Sequence, residues 1–271
     1  MTEAAPLEIP SPERTAELKE SLEEIRERVK AASLPGSSPT LVAVSKYKPA
    51  SDILACYRDG QLDFGENYVQ ELEEKARVLP TDIRWHFIGT LQSNKAKILA
   101  SIPNLFSVQT LGSIKAATSL NKALPGDRVS PLRVLIQVNT SGEDSKSGLS
   151  PLTSDSNLAE SDLVLLANHV IQECPKLRLE GLMTIGALEL SLTATETEKN
   201  TDFERLKETR GILASHLKGA FPKGDKKWGN FSGRLILSMG MSSDFEAALK
   251  AGGDIVRVGT GIFGQRAKKT S

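Results

Sequence analysis

The sequence predicts an α/β protein, a (β/α)8 TIM barrel with an extra N-terminal helix. Three observations predict it. Short runs of small and β-branched residues that are apolar on both faces recur along the chain, and such runs belong in a parallel sheet covered by helices. Between them stand segments whose apolar positions recur at helical spacing. The alternation repeats eight times in roughly 230 residues, which suits a closed eight-stranded barrel.

Residues 1–13, acidic and proline-containing, read as a disordered lead, and residues 14–271 as a single barrel domain. From Arg14 to about Ala32, Leu18, Leu22, Ile25 and Val29 recur at helical spacing among charges, so this amphipathic helix lies on something. Leu34–Pro39 is a turn cluster. The first strand is the run from Thr40 through Val44, Ser45 and Lys46, stopped by Pro49, with a helix over about 50–60 behind it. Leu62–Asn67 is the second strand, followed by a helix over Val69–Leu79 with Glu and Lys at facing positions. The third is Ile83–Gly89, with a helix from near Ser93, and the fourth is Leu105–Thr110, with a helix from about Ser113 to Leu124. Leu132–Asn139 is the fifth and leads through a Ser- and Gly-rich loop to a helix ending near Cys174. Leu179–Gly186 is the sixth, before a long charged helix over about 197–217. Arg234–Gly240 is the seventh, with a helix over about 244–250, and Asp254–Val258 is the eighth. Ser150–Asp162 and Gly219–Gly233 carry no apolar period and read as surface insertions.

Lys plus Arg equals Asp plus Glu at 34 each, so no global field favours nucleic acid or an anionic membrane, and any anion needs a local site. No apolar run approaches the roughly 18 residues of a membrane span, and the start has neither a signal core nor transit character, so a cytoplasmic location is the expectation. Cys56 and Cys174 lack metal-type spacing and read as reduced, packed thiols. No heptad or large apolar face demands a partner, which implies a monomer or weak dimer.

The chemistry centres on Lys46. A lysine at the exit of a buried strand loses hydration against apolar walls, its pKa falls, and it becomes a usable nucleophile toward an aldehyde. Lys46 is therefore expected to form a Schiff base with a carbonyl compound. Lys48 is the rival amine, displaced toward the turn by Pro49. Barrel active sites stand at the carboxyl ends of the strands, where this chain places Lys46, Glu66, Asn67, Gln92, Asn94, Gln109, Asn139, Thr184, the segment Ser238–Asp244, Arg257, and Gly259–Thr260–Gly261. Ser243 with Glu246 three positions on forms a capping-box pattern, expected to fix a helix N-terminus whose amides bind an anion. Gly259, Thr260 and Gly261 allow close backbone approach and add a hydroxyl, so the loops after strands seven and eight form the expected phosphate site. The GxGxxG match at Gly259–Gly264 lacks the helix and second strand of a dinucleotide unit. Arg257, among β-branched residues, requires an acceptor, either a carboxylate such as Glu66 or a ligand heteroatom above the barrel. His86 reads as a hydrogen-bonded core residue, His169 and His216 as superficial helix residues, and no metal-ligand cluster appears.

These residues resemble a known family. Val44-Ser45-Lys46, the run from Phe64 to Glu71, the run from Trp85 to Lys95, Asn139, Ser145-Lys146-Ser147-Gly148, Gly181-Leu182-Met183-Thr184, Leu237–Ser242 and Arg257–Thr260 with Ile262-Phe263-Gly264 are similar to motifs of the pyridoxal phosphate homeostasis proteins. The resemblance covers about residues 40–264. It implies a barrel similar to the N-terminal domain of alanine racemase, with pyridoxal 5′-phosphate (PLP) at its mouth. Carried over by position, Lys46 would hold the cofactor covalently, Ser242, Gly259 and Thr260 would bind its phosphate, Arg257 would face the pyridine nitrogen, and Asn67 would line the pocket. The family is thought to carry or buffer PLP in vitamin B6 homeostasis without catalytic turnover, which implies PLP-dependent apo-enzymes as recipients. The two insertions depart from the shorter bacterial pattern.

Two enzymatic readings compete with a carrier. A small PLP-dependent racemase or lyase needs a second base opposite Lys46, for which Tyr47, Tyr68 or a neighbouring subunit would have to serve; racemases take it from a second domain, whereas this sequence stops shortly after its eighth strand. An arginine beside the ring nitrogen also disfavours its protonation and weakens the electron sink. A Schiff-base aldolase is disfavoured because the lysine stands on the first strand and the sixth ends in Met183-Thr184.

Overall fold

The computed structural model describes residues 9–143, 146–186, 200–221 and 228–265. Eight parallel strands close into one barrel in sequential order: β1 (Thr40–Val44), β2 (Asp63–Glu66), β3 (Arg84–Phe87), β4 (Leu105–Leu111), β5 (Leu132–Gln137), β6 (Leu177–Met183), β7 (Ile236–Ser238) and β8 (Ile255–Val258). The expected TIM barrel is therefore present. Its helices are α1 (Pro12–Ala32), α2 (Ala50–Arg58), α3 (Val69–Val78), α4 (Ala96–Ala100, entered through a 3-10 turn at Ser93–Lys95), α5 (Ile114–Ala123), α6 (Asp162–Glu173), α7 (Thr201–Ala220), α8 (Phe245–Lys250) and α9 (Thr260–Phe263).

α1 begins two residues before the apolar spacing suggests, because Pro12 pre-sets its first turn and the Ser11 hydroxyl accepts the Arg14 N–H at 3.2 Å. Residues 12–13 of the expected lead are thus helical, and residues 1–8 of it lie outside the described residues. The stripe Leu18, Leu22, Ile25 and Val29 is buried, and α1 packs across α2, α8 and α9, over the seam where β1 meets β8. That seam pairs Val42 with Arg257 and Ala43 with Val258, with Thr40 N–H donating to Asp254 O at 2.8 Å. The first and last strands are so zipped together and close the barrel.

Several expected boundaries move. β5 stops at Gln137 and β7 at Ser238, each two residues early, so Asn139 and Gly240 belong to the loops above the barrel. β6 starts two residues early and ends at Met183, before Thr184. The one-turn α9 was not expected as a helix; Gly259 precedes it and Ile262 and Phe263 N–H both return to Gly259 O. Both expected insertions are stitched down where described; Gly219 and Ala220 still belong to α7, and residues 222–227 lie outside the described residues. Leu152 is buried with its N–H on Thr209 Oγ1 of α7 at 3.1 Å, and Trp228 is buried and bridges to Leu179 of β6. Cys56 and Cys174 are buried free thiols, and burial pushes Cys56 up to about 12, which keeps it protonated and inert. Among the described residues no helix is long and apolar enough to cross a membrane, and no cluster of metal-binding side chains occurs.

Candidate functional site

Lys46 stands two residues past the end of β1 and is half-buried. The turn that carries it is closed by Lys48 N–H on Ser45 O at 3.0 Å, and Ser45 N–H extends the β1–β2 ladder to Gly65 O at 3.0 Å. Tyr47 adopts φ 62°, a left-handed conformation that costs a non-glycine residue about 1 kcal/mol or more and persists only where neighbours enforce it. The neighbours here are charged: Glu71 is half-buried, and Lys75 and Glu66 are buried. Glu71 Oε1 accepts Tyr47 N–H at 2.6 Å and the Lys75 ammonium at 2.7 Å; Lys75 also donates to Ser45 O at 2.8 Å and to Glu66 Oε1 at 2.6 Å, and the Ser45 hydroxyl donates to the same Glu66 oxygen at 2.7 Å. Both residues flanking Lys46 are thereby clasped from β2 and α3.

Lys75 was not singled out in the sequence, where Glu71 and Lys75 form an ordinary i,i+4 pair; in the structure it is buried. Burial pushes the Glu66 carboxyl up to about 7 against the opposing effect of Lys75 and the Ser45 hydroxyl.

A cavity of about 450 Å³ opens at the carboxyl end of the barrel, within the size range of small-molecule sites. Lys46, Asn67, Ser242, Arg257, Gly259 and Thr260 all line it. Val44, Ile88, Met183 and Ile185 form apolar walls that sequence reasoning did not assign to the site. Lys48 also reaches the cavity, but its ammonium donates to Phe263 O and Gln265 O at 2.9 Å each, tying down the end of α9.

Arg257 is buried and does not pair with Glu66, the carboxylate proposed from sequence; β8 and β2 are separated by β1, and Glu66 is taken by Lys75. The guanidinium instead donates to Ser238 Oγ at 2.5 Å and Thr184 O at 2.7 Å. Burial lowers its pKa to about 10, opposed by the charge of Asp244, and it stays cationic at neutral pH.

The expected capping box also fails. Asp244, not Ser243, precedes α8 and accepts Met241 N–H at 2.6 Å, while Glu246 is drawn away to Arg28 of α1 at 2.9 Å. The N–H groups of Asp244 and Phe245 are spent on Met241 O. The loop lines the cavity with Met241, Ser242 and Ser243, and the Ser242 Oγ accepts Gly259 N–H at 3.2 Å and stands 3.5 Å from Thr260 Oγ1. The two loops meet there, with hydroxyls from both.

Asn67 sits beyond β2 with its Oδ1 buried and without a hydrogen-bond partner. Its backbone presses against Gly89, where a Cβ would stand 1.9 Å from Asn67 O, so only glycine fits. A second cavity of about 240 Å³ adjoins the first along Asn67, Ile88 and Ile185 and is lined by Asn139 and Thr184, among others. Gln109 reaches neither cavity; Gln92 and Asn94 also line neither.

The family model described as alanine racemase, N-terminal domain, matches residues 15–267. The chain is 42% identical over 234 residues, 86% of this chain and 87% of the other, to the pyridoxal phosphate homeostasis protein of Schizosaccharomyces pombe. The solved structure of PipY from Synechococcus elongatus with PLP bound superposes with a TM-score of 0.66 at 29% identity, covering 91% of this chain and all of that one. Alanine racemase from Streptomyces coelicolor shares the fold at 19% identity and a TM-score of 0.65, over 92% of this chain and 58% of its own.

Proposed function

The chain belongs to the alanine racemase N-terminal domain family and, within it, to the pyridoxal phosphate homeostasis proteins, and from that premise we propose that it binds PLP and carries or buffers it for PLP-dependent apo-enzymes in the cytoplasm. The observation that carries the reading is the convergence of Lys46, Asn67, Ser242, Arg257, Gly259 and Thr260 on one cavity at the carboxyl end of the barrel. The donor set fits such a ligand: one amine, hydroxyls of two adjoining loops for a phosphate, and a buried cation whose own acceptors are neutral. The partnerless Asn67 Oδ1 is a buried acceptor at the same wall.

When bound, PLP supplies an aldehyde that condenses with amines and a ring that absorbs visible light. Lys46 is the amine to which we assign the covalent link, held at its turn by Ser45, Glu71 and Lys75. Ser242 and Thr260, with the backbone at Gly259, are assigned to the phosphate. Arg257 is assigned to the ring nitrogen, where a guanidinium that stays cationic disfavours a second positive charge. Racemisation requires a base on the far side from Lys46. Tyr47 and Tyr68 do not line the cavity, and their hydroxyls are bonded to each other. The reading is therefore a carrier of PLP, without catalysis and active as a monomer or weak dimer.

The test is a visible spectrum of the purified protein titrated with PLP, with amino acids then added in deuterated water. Uptake of PLP with no α-proton exchange is expected; exchange in pure protein would make it a racemase or lyase, and failure to take up PLP would end the proposal.

A further inference from the structure

A continuous line of hydrogen bonds crosses the barrel interior beneath the cavity. Arg257 Nη1 on β8 donates to Ser238 Oγ on β7 at 2.5 Å, and the Ser238 hydroxyl donates to Gln109 Oε1 on β4 at 2.7 Å. Gln109 Nε2 stands 3.0 Å from His86 Nδ1 on β3, and His86 Nε2 stands 2.9 Å from Asp63 Oδ1 on β2. Asp63 Oδ2 accepts from Arg84. Ser238, Gln109 and His86 are fully buried, at 1% exposure or less. His86 also lines a cavity of about 370 Å³ with Arg133, Glu180, Arg234 and Asp254, which stands at the strands' amino ends, away from the proposed PLP site.

The two ends of this line dictate its polarity. A guanidinium can only donate, so the Ser238 proton points away from Arg257, to the amide oxygen of Gln109. That turns the Gln109 NH2 toward His86, whose Nδ1 must accept. From the other end, a carboxylate only accepts, so His86 Nε2 carries the proton. Both ends demand the same tautomer, and from Arg257 to His86 every member donates toward Asp63, which accepts from His86 and Arg84.

We infer that His86 is a positioning residue for the PLP pocket: its Nε2–H tautomer, set by Asp63, fixes through Gln109 and Ser238 the orientation in which Arg257 meets its ligand. This deepens the reading of Arg257 given above and rests on it. The role is distinct from packing because it depends on proton direction. In Asp63→Asn the carboxamide oxygen stays with Arg84, so its NH2 faces His86 and Nε2 must accept. Nδ1–H then donates to Gln109, the amide turns, and its NH2 meets Ser238 Oγ together with Arg257 Nη1. Two donors on one hydroxyl displace its proton from its acceptor and disturb the guanidinium.

The experiment is nitrogen NMR of the histidines in apo-protein, which is tractable with three in the chain, together with the absorption maximum and Kd of the PLP-loaded protein. Wild type should show His86 as Nε2–H, and Asp63→Asn should show Nδ1–H, a displaced absorption maximum and PLP held about two- to tenfold more weakly, the range of one hydrogen bond. Gln109→Leu and Ser238→Ala break the line while leaving the tautomer, and each should displace the maximum; they keep the question open to test if Asp63→Asn fails to fold. An Nδ1–H tautomer in wild type, or maxima unmoved in these variants while Arg257→Gln moves its own, overturns the inference. A maximum unmoved by Arg257→Gln would instead remove the assignment of Arg257 to the ring.

Discussion

The Lys75 ammonium lies 2.6 Å from the Glu66 carboxylate in the wall of the barrel, and the same ammonium caps Ser45 O, one residue before Lys46. A buried ion pair contributes little net stability compared with apolar packing, because desolvation offsets attraction. Its effect here is geometric, since it holds the turn that presents the amine.

Lys75→Met should therefore destabilise the protein by about 1–3 kcal/mol, the cost of leaving Ser45 O and Glu66 without their buried donor, because Glu66, already raised to about 7 and now without the charge that lowers it, takes up a proton. Combining it with Glu66→Gln should cost little more than Lys75→Met alone, because the carboxyl left behind is already neutral. Chemical denaturation of the two single variants and the double variant measures the coupling; simple additivity would show that the pair does not act as a unit.

The pH dependence follows from the raised carboxyl. A carboxyl with a native pKa of about 7 against an ordinary 4.5 binds its proton more tightly in the folded state, so native stability is lost as pH rises through that interval and levels off above it. Glu66→Gln keeps an acceptor for Ser45 and Lys75 but does not titrate. The difference in Tm between wild type and Glu66→Gln should move against wild type between about pH 5 and 7.5; a difference constant over that range would contradict the assignment.

Borohydride reduction of the PLP-loaded protein should place the label on the peptide containing Lys46. Lys48→Met should leave that label in place while costing about 1 kcal/mol of stability through its contacts to Phe263 O and Gln265 O. Peptide mapping decides between the amines, and label on Lys48 refutes the assignment.

Ser242→Ala and Thr260→Val remove the hydroxyls assigned to the phosphate. Each should weaken PLP retention by roughly tenfold or more, as loss of a hydrogen bond to a charged group does, while visible colour still develops at high PLP. Equilibrium dialysis with unchanged retention in both variants would count against this subsite.

Gly89→Ala drives a methyl into Asn67 O and must displace the strand end that carries Asn67. A loss of about 1–3 kcal/mol is expected, the usual cost of overpacking, with weaker PLP uptake than the stability loss alone explains.

The barrel was legible because parallel strands buried on both faces leave a strong apolar signature, and the leading helix because Leu18, Leu22, Ile25 and Val29 keep one stripe. Lys46 was legible because a charge at the end of an apolar run stands out. Partners set by tertiary register were not. The acceptors of Arg257 come from β7 and from the residue after β6, and no local spacing encodes that. Glu246 was read as a cap because its true partner, Arg28, lies 218 residues away. Lys75 was hidden by a local pairing that commonly marks an exposed helix face. α9 escaped because four residues, one of them glycine, carry no periodicity.

Arg14, near the start of α1, donates to Asp52 of α2 at 2.8 Å and to Phe263 O at 3.0 Å, a contact spanning 249 positions. The amine and the phosphate hydroxyls assigned to PLP come from the ends of the first strand and of the last two, and the strap joining α1 to α9 is among the longest-range contacts among the described residues. A chain emerging from the ribosome has Lys46 in hand long before Ser242 or Thr260 exists, so its amine meets no finished pocket during synthesis. Vitamin loading becomes a post-translational event, and a fragment lacking either terminus should be as unable to retain the vitamin as one lacking the lysine itself.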